Sequence, residues 1–180
     1  MPEYRRVLIP GGTYFFTVVT YQRKDVFAQN SERLLLQSVW KDICSRHPFK
    51  ILAFCILPDH FHMIMTLPDH DPNYSMRIRE IKRLFTSRYS RAYTAQISQS
   101  RKKRKESDVW QRRFWEHCIM DAEDLIHHIE YIHYNPVKHG LIDNACEWEA
   151  SSFHSFVDKG LYEIGWGESQ KMEFDKSYGE

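Results

Sequence analysis

Two short stretches of this sequence combine side chains that can do chemistry. The first is His60-Phe61-His62, at the entry of a predicted strand. Strand side chains alternate faces, so His60 and His62 point one way while Phe61 and Met63 point the other. Two imidazoles on one rigid face can hold a divalent metal and leave positions open for a substrate oxygen. An H-x-H pair is also met as two ordinary polar side chains, so the spacing alone leaves both readings open. The second stretch is a predicted helix from Asp121 to Asn135. Its Leu125, Ile129 and Ile132 fall at helical spacing and should face a core. His127, Tyr131 and Asn135, each four apart, project from another side, flanked by His128 and Tyr134. Lys and Glu would serve plain solvent better, although a polar face half covered by neighbours explains the pattern as well.

Together the two stretches fit one reaction. A phosphodiester needs a Lewis acid on its non-bridging oxygen and an in-line nucleophile. Tyrosine can attack phosphorus, keep the bond energy as a phosphotyrosine ester and release a free 3′-hydroxyl. A phenol with an ordinary pKa near ~10 needs a metal or a base to help it ionise. Asn135 on the metal, one turn from Tyr131, would tie nucleophile and Lewis acid to one rigid element. Tyr134, nearly a full turn from Tyr131, is the alternative nucleophile.

The surrounding sequence predicts the elements that position these groups. Pro10-Gly11-Gly12 makes a turn before a strand over residues 13–20. Ser31 is a candidate N-cap for a helix reaching Arg46, with Leu34, Leu35, Val39 and Ile43 as its apolar stripe. Lys50–Leu57 and Phe61–Leu67 read as a hairpin turning at Pro58-Asp59. A basic helix runs from about Ser75 to Tyr93, burying Met76, Ile78, Ile81, Leu84 and Phe85. Residues 95–108 have the composition of a flexible basic loop, and Trp110–Ile119 returns as a strand. Asp121, with Asp124 three residues on, caps the tyrosine-bearing helix. That helix should stop at Asn135, because Pro136 disfavours the α-conformation in the residue before it. The order β-α-β-β-α-β-α predicts an α+β fold, an antiparallel sheet with helices packed on one face.

Composition sets the limits. The 180 residues suffice for one domain with a hydrophobic core. No apolar run approaches the ~20 residues of a membrane helix, and Met1-Pro2-Glu3-Tyr4 does not open a secretory signal. A cytoplasmic protein without membrane partners is expected. Cys44, Cys55, Cys118 and Cys146 form no C-x-x-C pair and read as reduced thiols. The net charge of +1 hides segregation: residues 77–113 carry 13 Lys or Arg against 3 Asp or Glu, and residues 141–180 carry 3 against 9. A basic middle can grip a polyanion, although solvated surface is the commoner meaning of such a run.

Leu57-Pro58-Asp59-His60-Phe61-His62-Met63 resembles the HUH motif of single-tyrosine transposases, and residues 131–141, beginning Tyr131-Ile132-His133-Tyr134-Asn135-Pro136, resemble their tyrosine-helix signature. Residues 4–6, 11–18, 77–82, 113–117 and 148–153 are similar to the REP-associated branch, so the likeness covers about residues 3–166. The resemblance implies His60, His62 and Asn135 as metal ligands and Tyr131 as nucleophile. It implies Mg²⁺ or Mn²⁺ as cofactor and a ferredoxin-like core of the HUH endonuclease type. Its implied substrate is single-stranded hairpin DNA from repetitive extragenic palindromes, cut and rejoined by a monomer associated with the nucleoid. It frames residues 1–166 as one transposase domain and leaves 167–180 as an acidic tail, a candidate for disorder. The loop at 95–108 is longer than that branch leads one to expect.

Accessory residues follow from charge. Arg5 and Arg6 are candidates for gripping the foot of a hairpin. Arg77, Arg79, Lys82 and Arg83 on the basic helix, Arg101, Lys102, Lys103, Arg104 and Lys105 in the loop, and Arg112 and Arg113 beyond it are candidate phosphate contacts. Trp110, Phe114 and Trp115 can stack on bases or fill the core. His117 and His127 read as structural, hydrogen-bonded residues. Two rival functions are a hairpin-binding factor with little or no catalysis and a metal hydrolase for small phosphoesters.

Overall fold

Thirteen residues into the chain the first strand forms, and the third and fourth strands pair on either side of it. A computed structural model describes residues 8–89 and 108–167, together with 172 and 174. Arg5, Arg6 and Arg101–Lys105 lie outside the described residues. The elements are β1 (Thr13–Val19), α1 (Asn30–Arg46), β2 (Lys50–Ile56), β3 (His60–Thr66), α2 (Tyr74–Tyr89), β4 (Trp115–Cys118), α3 (Ala122–Lys138) and a short α4 (Phe153–Asp158). The four strands form one antiparallel sheet in the order β2-β3-β1-β4.

Alternation along the two central strands divides the molecule. Tyr14, Phe16 and Val18 of β1, with Phe61, Met63 and Met65 of β3, face α1 and α2. Leu36, Val39, Trp40 and Ile43 of α1 and Ile78, Ile81 and Phe85 of α2 complete that core, at the i, i+3, i+4 and i+7 spacings of a helical stripe. The opposite face carries Phe15, Ala53, Cys55, Leu57 and Ile64, and here Tyr131 and Ile132 of α3 pack. The α+β sheet and the shared face of α1 and α2 match the expectation, whereas the tyrosine helix lies on the other face. The reason is in β3: His60, His62 and Ile64 share a parity opposite to the main core, so a helix that meets the histidines must lie opposite α1 and α2.

Three local boundaries differ from the sequence reading. Helix α1 begins at Asn30 with Gln29 as its N-cap, while the Ser31 hydroxyl donates to Glu32. The return strand is short: Trp110 makes an isolated bridge to Thr20, and regular pairing starts only at Trp115. Helix α3 runs through Pro136 to Lys138. Proline forfeits a single N–H, and the last turn is closed by the amides of His139, Gly140 and Leu141, which donate to Asn135, Val137 and Pro136. No helix among the described residues is long and apolar enough to cross a membrane.

Candidate active site

The two candidate histidines are brought together and buried. His60 is 1% exposed and His62 is fully buried, and their Nε2 atoms lie 3.2 Å apart. On β1 their Cα partners are Val19 and Thr17. The outer nitrogen of each ring has its own partner. His60 Nδ1 donates to Asp59 Oδ1 at 2.5 Å, and Asp59 Oδ2 in turn accepts from Arg23 at 2.9 Å. His62 Nδ1 meets the Thr17 hydroxyl at 3.0 Å. Burial works against the Asp59 carboxylate, but the hydrogen bonds and charges of His60 and Arg23 outweigh it and hold its pKa at about 2. A carboxylate only accepts, so the proton on His60 sits at Nδ1 and the lone pair at Nε2, directed to His62.

This donor set fits a divalent cation. Ligating histidines characteristically donate their other ring nitrogen to a carboxylate or neutral oxygen, which fixes the tautomer. The two Nε2 atoms, 3.2 Å apart, are close enough for one ion to be held by both. Phe15 floors the site, with its ring 5.4 Å from His62 and 5.9 Å from Tyr131.

Helix α3 supplies the remaining groups. The Tyr131 ring meets His62 edge-on at 5.3 Å, and the His139 ring meets His60 at 5.4 Å. Residues 131, 135 and 139 follow one helical stripe, so Asn135 falls between these two contacts along the helix. Asn135 is fully buried and its Oδ1 is shut off from solvent. The Tyr131 oxygen accepts from Lys138 Nζ at 3.2 Å, and Phe174 packs against the Tyr131 ring at 5.3 Å. Tyr134 faces Trp166 and Phe174 instead. His127 is exposed, and the stripe that enters the sheet carries His128, whose ring packs on Phe15 at 4.8 Å.

A second titratable cluster lies beyond Phe15. Single ligand atoms of His117, Asp124 and His128 fall within 4.8 Å of one another, close enough for one ion. The three are already joined by hydrogen bonds. His117 Nε2 lies 2.8 Å from Asp124 Oδ2, and His128 Nδ1 lies 2.9 Å from Oδ1 and 2.8 Å from the Asp124 carbonyl. A carbonyl requires a donor, so His128 Nδ1 carries a proton and is spent as a ligand atom. Burial lowers the His128 pKa.

The basic residues divide. Arg77 does not reach the surface: it is 1% exposed, pairs with Asp71 and donates to the carbonyls of Pro48 and Asn73. Its charge is spent inside the fold, which removes it from the candidate phosphate contacts. Arg79 and Arg83 are 73% and 60% exposed beside Glu80. Lys82 donates to the Gln111 carbonyl, which joins the basic helix to the exposed Arg112 and Arg113. Trp110 is buried against Phe27, Phe61 and Phe85, while Phe114 and Trp115 are half-buried against Phe16 and Phe15. Asp59, Thr17, Arg23 and Lys138 were not singled out from sequence; adjacency to His60 and the two-turn spacing from Tyr131 were the only signals for Asp59 and Lys138.

Comparison with known proteins places this arrangement. Residues 10–135 match the family described as IS200-like transposase. An Escherichia coli K12 protein, the REP-associated tyrosine transposase, is 40% identical over 166 residues, covering 92% of this chain and 91% of the relative. A Haemophilus influenzae protein provisionally given that name is 43% identical over 167 residues, covering 93% and 94%. A solved structure of a REP-associated tyrosine transposase bound to a REP hairpin superposes with a TM-score of 0.82 at 38% identity, covering all of this chain and 98% of the other.

Proposed function

Because the chain belongs to the IS200-like transposase family, in its REP-associated tyrosine branch, we propose that it cuts and rejoins single-stranded hairpin DNA through a 5′-phosphotyrosine link on Tyr131. The observation that carries the reading is the convergence of Tyr131 on the His60–His62 pair, with the ring 5.3 Å from His62 and the two Nε2 atoms 3.2 Å apart. His60, His62 and Asn135 would hold Mg²⁺ or Mn²⁺. When bound, the ion withdraws charge from a non-bridging oxygen of the scissile phosphate.

The chain's own residues do the rest. Phe15 holds the Tyr131 ring edge-on from the sheet. The phenol oxygen attacks phosphorus in line, its proton passes to solvent, and the P–O3′ bond breaks. The electron pair stays on the 3′-oxygen, which takes a proton from water, and the 5′-phosphate remains on Tyr131. Attack by another 3′-hydroxyl reverses these steps and joins or transfers the strand. Arg79, Lys82, Arg83, Arg112 and Arg113 form one basic surface that meets hairpin phosphates, and Arg5, Arg6 and Arg101–Lys105 extend it in sequence. In this reading residues 1–166 act as one transposase domain, as a monomer, on DNA in the cytoplasm, with 167–180 an acidic appendage.

The test is a denaturing gel of protein with end-labelled hairpin oligonucleotides and Mg²⁺ or Mn²⁺. Label that stays with the protein, and is lost in Tyr131→Phe or with EDTA but kept in Tyr134→Phe, supports the proposal. Tight hairpin binding with no adduct and no cleavage in either metal favours a DNA-binding factor.

A further inference from the structure

We propose that Lys138 is a further catalytic residue, holding the Tyr131 oxygen and offsetting the negative charge it bears while its bond to phosphorus forms or breaks. This rests on Tyr131 being the nucleophile. Lys138 Nζ donates to Tyr131 Oη at 3.2 Å and stands 4.7 Å from the centre of the same ring, so the ammonium touches both the reacting atom and the π-face behind it. The contact spans two helical turns and exists because α3 continues through Pro136 to Lys138. A helix ending at Asn135 would leave position 138 on an irregular segment. Phe15, Phe174 and the edge of His62 also meet the phenol ring. A cation already placed at the oxygen offsets a developing oxyanion without having to reorganise as the reaction proceeds.

The role follows from the balance of the reaction. In cleavage the Oη–P bond forms and the P–O3′ bond breaks; the phenol proton leaves to solvent and the 3′-oxygen takes one from solvent. In rejoining the 3′-hydroxyl attacks, the P–Oη bond breaks and its electron pair returns to Oη. Lys138 keeps its own protons in both directions. Partial charge sits on Oη in a transition state common to both, so removing the ammonium slows cutting and rejoining by the same factor. The position of the equilibrium and the affinity for the hairpin stay unchanged.

The experiment compares wild type, Lys138→Gln and Lys138→Arg in single-turnover formation of the covalent adduct, in its resolution by an added 3′-hydroxyl strand, and in hairpin affinity measured in EDTA. Lys138 is exposed, so both variants are expected to fold, which circular dichroism checks. Expected is a roughly hundredfold loss in both rates for Lys138→Gln, the low end for a lost donor to a developing oxyanion, with Lys138→Arg within about tenfold of wild type. Lys138→Gln reacting at the wild-type rate overturns the proposal, and so does a rate loss matched by an equal loss of hairpin affinity, which would make Lys138 a phosphate clamp. Absence of any adduct in wild type overturns the Tyr131 reading itself, and is thereby distinguished from a failure of Lys138 alone.

Discussion

Replacing Asp59 by Asn perturbs the candidate metal site without touching a ligand. The carboxylate joins His60 Nδ1 to Arg23, and its side chain is only 17% exposed. Against burial, those two partners lower its pKa from the ordinary 3.8 to about 2. That net difference corresponds to ~2.5 kcal/mol at ~1.4 kcal/mol per unit, a lower bound on the coupling because burial acts against it. A cation on His60 Nε2 places positive charge on the same ring that an imidazolium would, so the carboxylate supports it in the same way. Assigning half of the coupling to His60 and half to Arg23 leaves at least ~1.2 kcal/mol, or a divalent cation bound roughly eightfold or more weakly, close to the range seen for outer partners of ligating histidines. Asparagine keeps an acceptor oxygen for Nδ1, so His60 retains its tautomer and only the charge is lost. The assay is a Mn²⁺ titration followed by electron paramagnetic resonance on the DNA-free protein, with hairpin affinity in EDTA as control. A folded Asp59→Asn protein that binds Mn²⁺ within about twofold of wild type would refute the reasoning.

Other consequences can be measured independently. Arg77→Met should cost roughly 1–3 kcal/mol in urea unfolding, because the carbonyls of Pro48 and Asn73 lose their donor and the partly exposed Asp71 its partner; a variant of normal stability with weakened hairpin affinity would instead restore Arg77 to the DNA surface. Arg79→Gln with Arg83→Gln should weaken hairpin binding and reduce the slope of log affinity against log salt by about 0.7 for each phosphate that the two arginines neutralise; an unchanged slope removes the basic helix from the interface. Burial lowers the His133 pKa from its ordinary 6.5 to about 3, while its ring stays bonded to Ser152. The unfolded chain therefore takes up this proton first. Stability is full above pH 6.5 and declines as pH falls toward 3, by ~2 kcal/mol at pH 5. The same pH slope in His133→Gln as in wild type would show that another group is responsible.

Strand parity was legible because it is local. Once residues 60–66 are a strand, His60 and His62 must share a face, and only the other parity, with Phe61, Met63 and Met65, suits the main core. The four-residue spacing of Tyr131 and Asn135 was legible in the same way. The phase of that helix was not: His127 and His128 lie about 40° and 60° to either side of Tyr131 on a wheel, and the position of Phe15, more than a hundred residues earlier, selects His128. Arg77 misled because Asp71 lies close in sequence but the Pro48 carbonyl comes from the distant connection between α1 and β2. The support of His62 by Thr17 and of Asp59 by Arg23 spans 45 and 36 residues, beyond the reach of any local pattern. At Pro136 a local rule lost to tertiary context: the sheet already holds the helix through Tyr131 and Ile132, and one missing hydrogen bond does not unwind a turn closed from beyond.

The most direct test of the central claim is to locate the covalent bond. Protein incubated with a hairpin oligonucleotide and Mn²⁺ is digested with nuclease and trypsin, and the peptide spanning 114–138, which contains both Tyr131 and Tyr134, is fragmented by mass spectrometry. The account predicts a nucleotide joined through its 5′-phosphate to Tyr131. A nucleotide on Tyr134 or on any other side chain, or cleaved DNA with an unmodified peptide, would contradict it.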